Sequence, residues 1–327
     1  MRRSDRRFTQ KDVNMKVVSM NKPSSNPMVV GSSSPMTKFT HRLNSLLEVI
    51  SKYRVLLVGD GIIDEYHFVT PLGKSPKENI IATRFVEKEI FAGGVWAAGK
   101  HVEGFCKTVE IATAPRFTVK KRFVERERVR KIFEVHEENS SKARVDTPNY
   151  YDYDLVIVTD FGHGCVTKQM IADMSLSAQF LAVNAQTNSA NHGFNLITKY
   201  NRADYVVLDE LEARLALHDR DSPIKEVITH IGFNKIAITL GPYGSIGYDG
   251  DMIYHQPGLD NPVVDTMGAG DAFFCVTAPF AAAGASMPEL LAIGNAAGAI
   301  KCSVVGHRKS VSKQDLLDVL KTTGTLR

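Results

Sequence analysis

The sequence is poor in everything that marks a secreted, fibrous or membrane-embedded chain. Its 327 residues include four cysteines, Cys106, Cys165, Cys275 and Cys302, and no two form a CxxC pair. That excludes a disulfide framework or a zinc site built on such pairs, and points to reduced, cytoplasmic surroundings. No apolar run approaches the roughly 18–20 residues that a membrane-spanning helix needs. Charge of one sign is also missing from the body of the chain. Residues 1–16 hold six basic against two acidic residues, which accounts for the whole net charge of +4, so the rest balances to zero. A neutral body behind a basic arm argues against a nucleic-acid-binding body.

What is present is an ordinary globular composition, with 43% hydrophobic and 23% charged residues. Residues 1–36 are rich in Ser, Pro, Asn, Met and Arg and have no helical or strand period. They read as a disordered basic extension, with no apolar stretch of a secretory signal behind the arginines. From Phe39, the spacing of Phe39, Leu43, Leu46, Leu47 and Ile50 predicts a short amphipathic helix.

Arg54–Asp60 (RVLLVGD) is a short apolar run closed by a turn signal, as a buried parallel strand should be. Similar runs recur at Val109–Ala112, Leu155–Val158, Phe180–Val183, Tyr205–Leu208 and Lys235–Thr239. Stretches such as Lys168–Ser177 and Glu210–Leu217 between them are long enough for one helix each. Alternation of this kind predicts an α/β, doubly wound, mostly parallel sheet with helices on both faces. Ligands in such sheets sit beyond the carboxyl ends of the strands, where Asp60 and Asp160 fall. Two segments, 65–91 and 117–137, fit no crossover helix and read as a small β-sheet lid. From Gly268 onward the chain reads as helices at Asp271–Ala283, Pro288–Val304 and Lys313–Lys321, the last with Ser312 as N-cap.

The most specific stretch is Val264–Phe274, VDTMGAGDAFF. Gly268, Ala269 and Gly270 stand where an extended segment turns into a helix, so several backbone N–H groups can converge on one anion. A carboxylate on the first helical turn repels a phosphate. Asp271 therefore fits either a general base taking a proton from an attacking hydroxyl, or a helix-stabilising acid beside a tight turn.

Asp265–Phe273 resembles the signature of the ribokinase-like (PfkB) carbohydrate kinases. Val58–Tyr66 (VGDGIIDEY) followed by Ser75-Pro76 is similar to the opening of the heptose-phosphate kinase branch, the kinase half of a bifunctional kinase/nucleotidyltransferase. Gly93-Gly94 is similar to the family's substrate-binding diglycine, Thr239–Gly244 to its nucleotide-binding strand and turn, and Asn295–Ala299 to its helix beside the adenine. These motifs follow the family's order across residues 54–320.

The resemblance implies a ribokinase-like domain over 37–327 and ATP-dependent phosphorylation of a sugar or sugar-phosphate hydroxyl. Asp271 would be the base, and the N–H groups of Ala269, Gly270 and Asp271 the anion hole after Gly268. Asp60, Asp64, Gly93, Gly94 and Asp160 would face the sugar. Asn184, Gln186, Asp209, Glu212, Thr239, Gly241, Gly244 and Asn295 would lie on the nucleotide side. Asp209 and Glu212 would hold Mg²⁺ through water, and a monovalent cation such as K⁺, which the family often uses, would lie by Asp265 and Thr266. Lid sheets in this family often pair between subunits, which implies a homodimer.

At substrate positions the chain departs from that branch. Ala97 stands where an asparagine contacts sugar, and His163 and Gln186 stand where lysines are expected. His163 fits a phosphate contact or a plain turn residue, and Trp96 a sugar platform or core packing. Asn188–Asn195 (NSANHGFN) is an unusual polar loop resembling kinase-like proteins found with sugar nucleotidyltransferases. No His-x-Gly-His stretch supports a nucleotidyltransferase here, so that activity would belong to a separate chain. The run Arg116–Lys131 carries eight basic residues against two acidic ones. Alternation on a strand would let Arg122, Arg126, Arg128 and Arg130 share one face and clamp an anionic substrate, with Arg122 and Arg128 its leading members. A solvated lid face is the other reading of that run. The alternative function is a catalytically weak relative that binds nucleotide or sugar as a regulatory or partner protein.

Overall fold

The computed structural model describes residues 35–115, 117–138 and 148–323. The basic extension, except its last two residues, lies outside them.

Helix α1 (Pro35–Ile50) leads into β1 (Arg54–Gly59), then β2 (Gly61–Lys74), β3 (Ile81–Gly94) and α2 (Val95–Glu103). Next come β4 (Thr108–Ala112), β5 (Phe117–Glu125), β6 (Arg130–Glu138), β7 (Leu155–Asp160), α3 (Lys168–Ser177) and β8 (Leu181–Ala185). The chain continues with β9 (Tyr205–Asp209), α4 (Glu210–Leu217), α5 (Ile224–His230), β10 (Ile236–Thr239), β11 (Ser245–Tyr248) and β12 (Ile253–Gln256). Three helices close it: α6 (Ala269–Ala282), α7 (Met287–Cys302) and α8 (Lys313–Thr322).

The main sheet has the order β12-β11-β10-β9-β8-β7-β1-β4. The six strands from β10 to β4 are the six apolar runs of the sequence, all mutually parallel; β11 and β12 add an antiparallel pair at the other edge. One face packs Leu57, Ile157 and Ala237 against α1, α2, α6 and α7. The other packs Val58, Val156 and Val183 against α3, α4 and α5. Burial on both faces explains why these strands read as continuous apolar runs instead of alternating ones. Trp96 packs, partly buried, against the first core and lies against Gly61, as core packing requires.

The lid is a four-stranded sheet, β3-β2-β5-β6. Its central pair, β2 and β5, is parallel. These strands follow β1 and β4, themselves a parallel pair, so the lid grows directly from the carboxyl edge of the main sheet. Residues 126–129 form a turn, with Val129 at φ 51°, between β5 and β6. The lid segment 117–137 is therefore a hairpin, which breaks the alternation expected from Arg122 to Arg130, and Arg126 and Arg128 sit at its exposed tip.

Candidate active site

The Gly-Ala-Gly-Asp turn lies at the end of an extended segment. Gly268 adopts φ 73°, a left-handed conformation that a side chain would strain, and α6 begins at the next residue. The Ala269 N–H, expected in the anion hole, donates to the Thr266 carbonyl (3.3 Å). The N–H groups of Gly270 and Asp271 remain, without a partner among the described residues, as donors of a first helical turn do. A Cβ built on Gly270 would meet nothing within 4 Å, so open space lies over them.

Asp271 is set from the strand behind it. Asn184 donates to the Val207 carbonyl (2.8 Å), Gln186 donates to Asn184 Oδ1 (2.8 Å), and Gln186 also donates to Asp271 Oδ1 (2.5 Å). This places Asn184 and Gln186 beside the carboxylate and leaves Oδ2 without a partner among the described residues. Burial raises the Asp271 pKa above the ordinary carboxylate value, and the nearby Asp64 charge adds to it. The Gln186 hydrogen bond and the charges of His307 and Lys120 oppose the shift.

Asp60, expected to face the sugar, is buried and bonded to the protein. Its Oδ1 accepts from Cys165 N–H (2.8 Å) and its Oδ2 from the N–H groups of Phe161 (3.0 Å) and His163 (3.3 Å). Asp160 is likewise spent on the protein: it accepts from Gly162 N–H, Asn195 and the Tyr200 hydroxyl (2.6 Å) and pairs with Lys199. The polar loop is the brace for this turn, since Asn188 and Asn191 both donate to the Phe161 carbonyl, and Asn195 to that of Asp160. These carboxylates hold the 160–165 loop in shape.

Asp64 ends between the two sheets. It forms an ion pair with Arg122 and lies 3.1 Å from His307 Nε2. Burial opposes ionisation, but these partners outweigh it and hold the carboxyl below its usual range. Gly93 is required by the same carboxylate, because a Cβ there would fall 2.0 Å from Asp64 Oδ2. Gly94, at φ 58°, lets Val95 N–H reach the Asp60 carbonyl (3.0 Å) and start α2. The charge of Arg122 is thus already matched, and Arg128 is exposed in the hairpin turn. The cation left facing the cleft is Lys120, 7% exposed and in no ion pair among the described residues. Burial and the neighbouring Arg122 charge hold its pKa below the usual lysine value.

Asp265 does not offer a vacant metal ligand. Its Oδ1 accepts from Lys131 Nζ (3.2 Å) and Met267 N–H (3.1 Å), and its Oδ2 from Gly306 N–H (3.0 Å) and the Tyr66 hydroxyl (3.3 Å). Burial works against its charge, yet Gly306, Lys131 and Met267 together lower its pKa. Thr266 is exposed, and its carbonyl accepts from Ala269. A potassium ion does not fit this donor set.

Of the residues expected on the nucleotide side, Asp209 and Glu212 form the capping box of α4, each accepting from the other's backbone N–H (2.7 and 2.8 Å). Glu212 also accepts from Thr187 N–H. Burial, then the charge of Asp209, push Glu212 up to about 8, and burial raises Asp209. Two carboxylates held near one another without a cation would gain from a divalent ion. Among the described residues no three His, Cys, Asp or Glu side chains are arranged to hold a metal. Thr239 ends β10, and Gly241 at φ 59° faces open space after it. Gly244 is pressed against the Gln256 carbonyl and shapes the turn. Asn295 accepts from Ser245 (2.8 Å) and donates to the carbonyls of Gln256 and Pro257. Its amide is thus hydrogen-bonded to the protein at both ends.

The residues missed in sequence are His307, Lys131, Tyr66 and Lys301. One signal was present: a lysine, Lys301, on a helix that is otherwise almost wholly small or apolar.

Residues 152–314 match the pfkB family carbohydrate kinase family. The 2-dehydro-3-deoxygalactonokinase of Haloferax volcanii is 30% identical over 37% of this chain and 39% of its own. The bifunctional protein HldE of Shewanella amazonensis is 23% identical over 84% of this chain and 65% of its own. The chain thus spans less than two thirds of these relatives. Ribokinase of Arabidopsis thaliana, solved with ribose and ATP, superposes with a TM-score of 0.63 at 16% identity, over 83% of this chain and 99% of its own. That likeness gives the ribokinase-like fold.

Proposed function

We propose, for a chain that belongs to the pfkB family of carbohydrate kinases, that it transfers the γ-phosphoryl group of ATP to a hydroxyl of an anionic, heptose-phosphate-like sugar. The observation that carries this is Asp271: a carboxylate with one oxygen fixed by Gln186 and, among the described residues, the other open, on the turn whose Gly270 and Asp271 N–H groups have no partner among them either. Asp271 Oδ2 takes the proton as the sugar oxygen bonds to the γ-phosphorus; the bond to the β-phosphate bridge breaks, and ADP leaves. The two N–H groups receive the charge that gathers on the transferred group. A raised pKa brings the base closer to the hydroxyl it must deprotonate. Magnesium, held through water by Asp209 and Glu212, would neutralise phosphate charge when bound with ATP.

Lys120 supports an anionic substrate. A buried cation on the cleft face of the lid gains from a phosphate or carboxylate that compensates for its lost hydration. The reading also implies a cytoplasmic setting and, as the resemblance to the heptose-phosphate kinase branch implies, a separate sugar nucleotidyltransferase that consumes the product. An ATP-consumption screen across free and phosphorylated heptoses, hexoses and pentoses, with nucleosides, tests it. Preference for a neutral sugar would overturn the anionic substrate, and no turnover with any acceptor would overturn the kinase.

A further inference from the structure

Lys301 is 1% exposed, among the most deeply buried large side chains of the protein. It stands in the last turn of α7, and its side chain runs beneath the anion-hole turn: a Cβ on Gly268 would lie 3.3 Å from Lys301 Cε and 3.8 Å from Nζ. The ammonium donates to the Gly306 carbonyl (2.6 Å). The N–H of that same residue donates to Asp265 Oδ2, and the Cys302 carbonyl next to Lys301 accepts from the N–H groups of Val264 and Asp265 (2.8 and 3.1 Å). The end of α7, the 303–307 loop and the start of the signature turn are thus laced together around one buried positive charge.

We propose that the Lys301 ammonium is the resident monovalent cation of the anion hole, so that phosphoryl transfer here needs no potassium ion. The oxygens around this charge and at the expected cation position, the Gly306 carbonyl and both oxygens of Asp265, already accept from nitrogen or hydroxyl donors, two of them the ammonium groups of Lys301 and Lys131. An ammonium group resembles potassium in size and charge, and one tethered to a helix cannot be washed out. Burying a lysine is costly unless its charge is used. Here a fixed charge stands behind the first turn of α6, where it adds to the helix dipole at the site of developing phosphoryl charge and needs no reorganisation during transfer. A simple helix-terminus charge would need neither this depth nor the contact beneath Gly268. Lys301 is a positioning residue: it acts through the turn and touches no reacting atom.

This rests on the kinase reading, and the test separates the two. The full chain is assayed and melted in about 0.1 M potassium chloride and in choline chloride of equal ionic strength. The expected rates agree within about twofold, and the melting temperature shows no potassium-specific rise, since an ion bound only by the native state would produce one. Lys301→Met, which keeps length and removes charge, is expected to lower kcat by about 10²-fold while the KM for ATP stays near its original value. Activation of the native chain by potassium beyond about tenfold, a potassium-specific rise in its melting temperature, or near-normal kcat in Lys301→Met would each overturn the proposal. The native-chain comparison needs no variant to fold, and its melting arm remains decisive if no sugar is phosphorylated.

Discussion

Strand β7 is buried at all six of its residues, whereas β6, in the lid, has no fully buried residue along its nine. The same contrast runs through the polar groups. At the edge of the main sheet, Asp60, Asp160, Asn184 and Gln186 bond to backbone and to one another, leaving one carboxylate oxygen of Asp271 open. In the lid, Thr118, Lys120 and Arg122 are buried toward the body, while Phe85, Ile90 and Phe133 stand exposed on the other side. A densely satisfied sheet edge fixes the groups proposed to react, and a thinner sheet over it carries the charge proposed to choose the sugar. The division suits chemistry that depends on geometry and selection that depends on charge.

The sharpest way to break this comparison is Asp271→Asn. It keeps size and helix start but removes the base, and turnover should fall by about 10²–10⁴-fold with ATP binding retained. In the native chain the acid limb of kcat/KM should lie above the ordinary carboxylate range, because the raised pKa means that activity is lost as pH falls through that higher value. A limb at the ordinary carboxylate value would place the base elsewhere.

Asp60→Asn tests the other carboxylate on the body side. It should act on stability, lowering it by about 2–3 kcal/mol, because a buried acceptor of three N–H groups is replaced by an amide that repels some of them. If chemical denaturation shows no change while the KM for sugar climbs, Asp60 is a substrate ligand after all. For the lid, Lys120→Met should raise the KM of an anionic sugar by about 10–100-fold and leave that of ATP near its original value. Arg128→Ala, at the hairpin tip, should change either constant by less than about twofold. Equal effects from the two lid substitutions would mean that the tip, too, closes on the substrate.

Much of this was legible in the chain itself. The six parallel strands could be read because burial on both faces writes itself as short apolar runs. The helices α3 and α4 could be read because their ends carry local signals: the Thr167 cap on one, and the Asp209–Glu212 box on the other. The Gly-Ala-Gly-Asp turn was visible because its conformation demands small residues in sequence. The basic run was visible as well, but not the turn that divides it, since Val129 in a left-handed conformation carries no turn signal.

Only the tertiary structure decided which charges remain available. Asp64 meets Arg122 from 58 residues away and His307 from 243, and Asp265 meets Gly306 from 41. Period and composition describe neighbours along the chain, so they established the sheet, the helices and the turn. A carboxylate's partner is chosen by approach through space, and that approach decided that Asp60 and Asp160 brace a loop, that Lys120 faces the cleft, and that Lys301 lies beneath the anion hole.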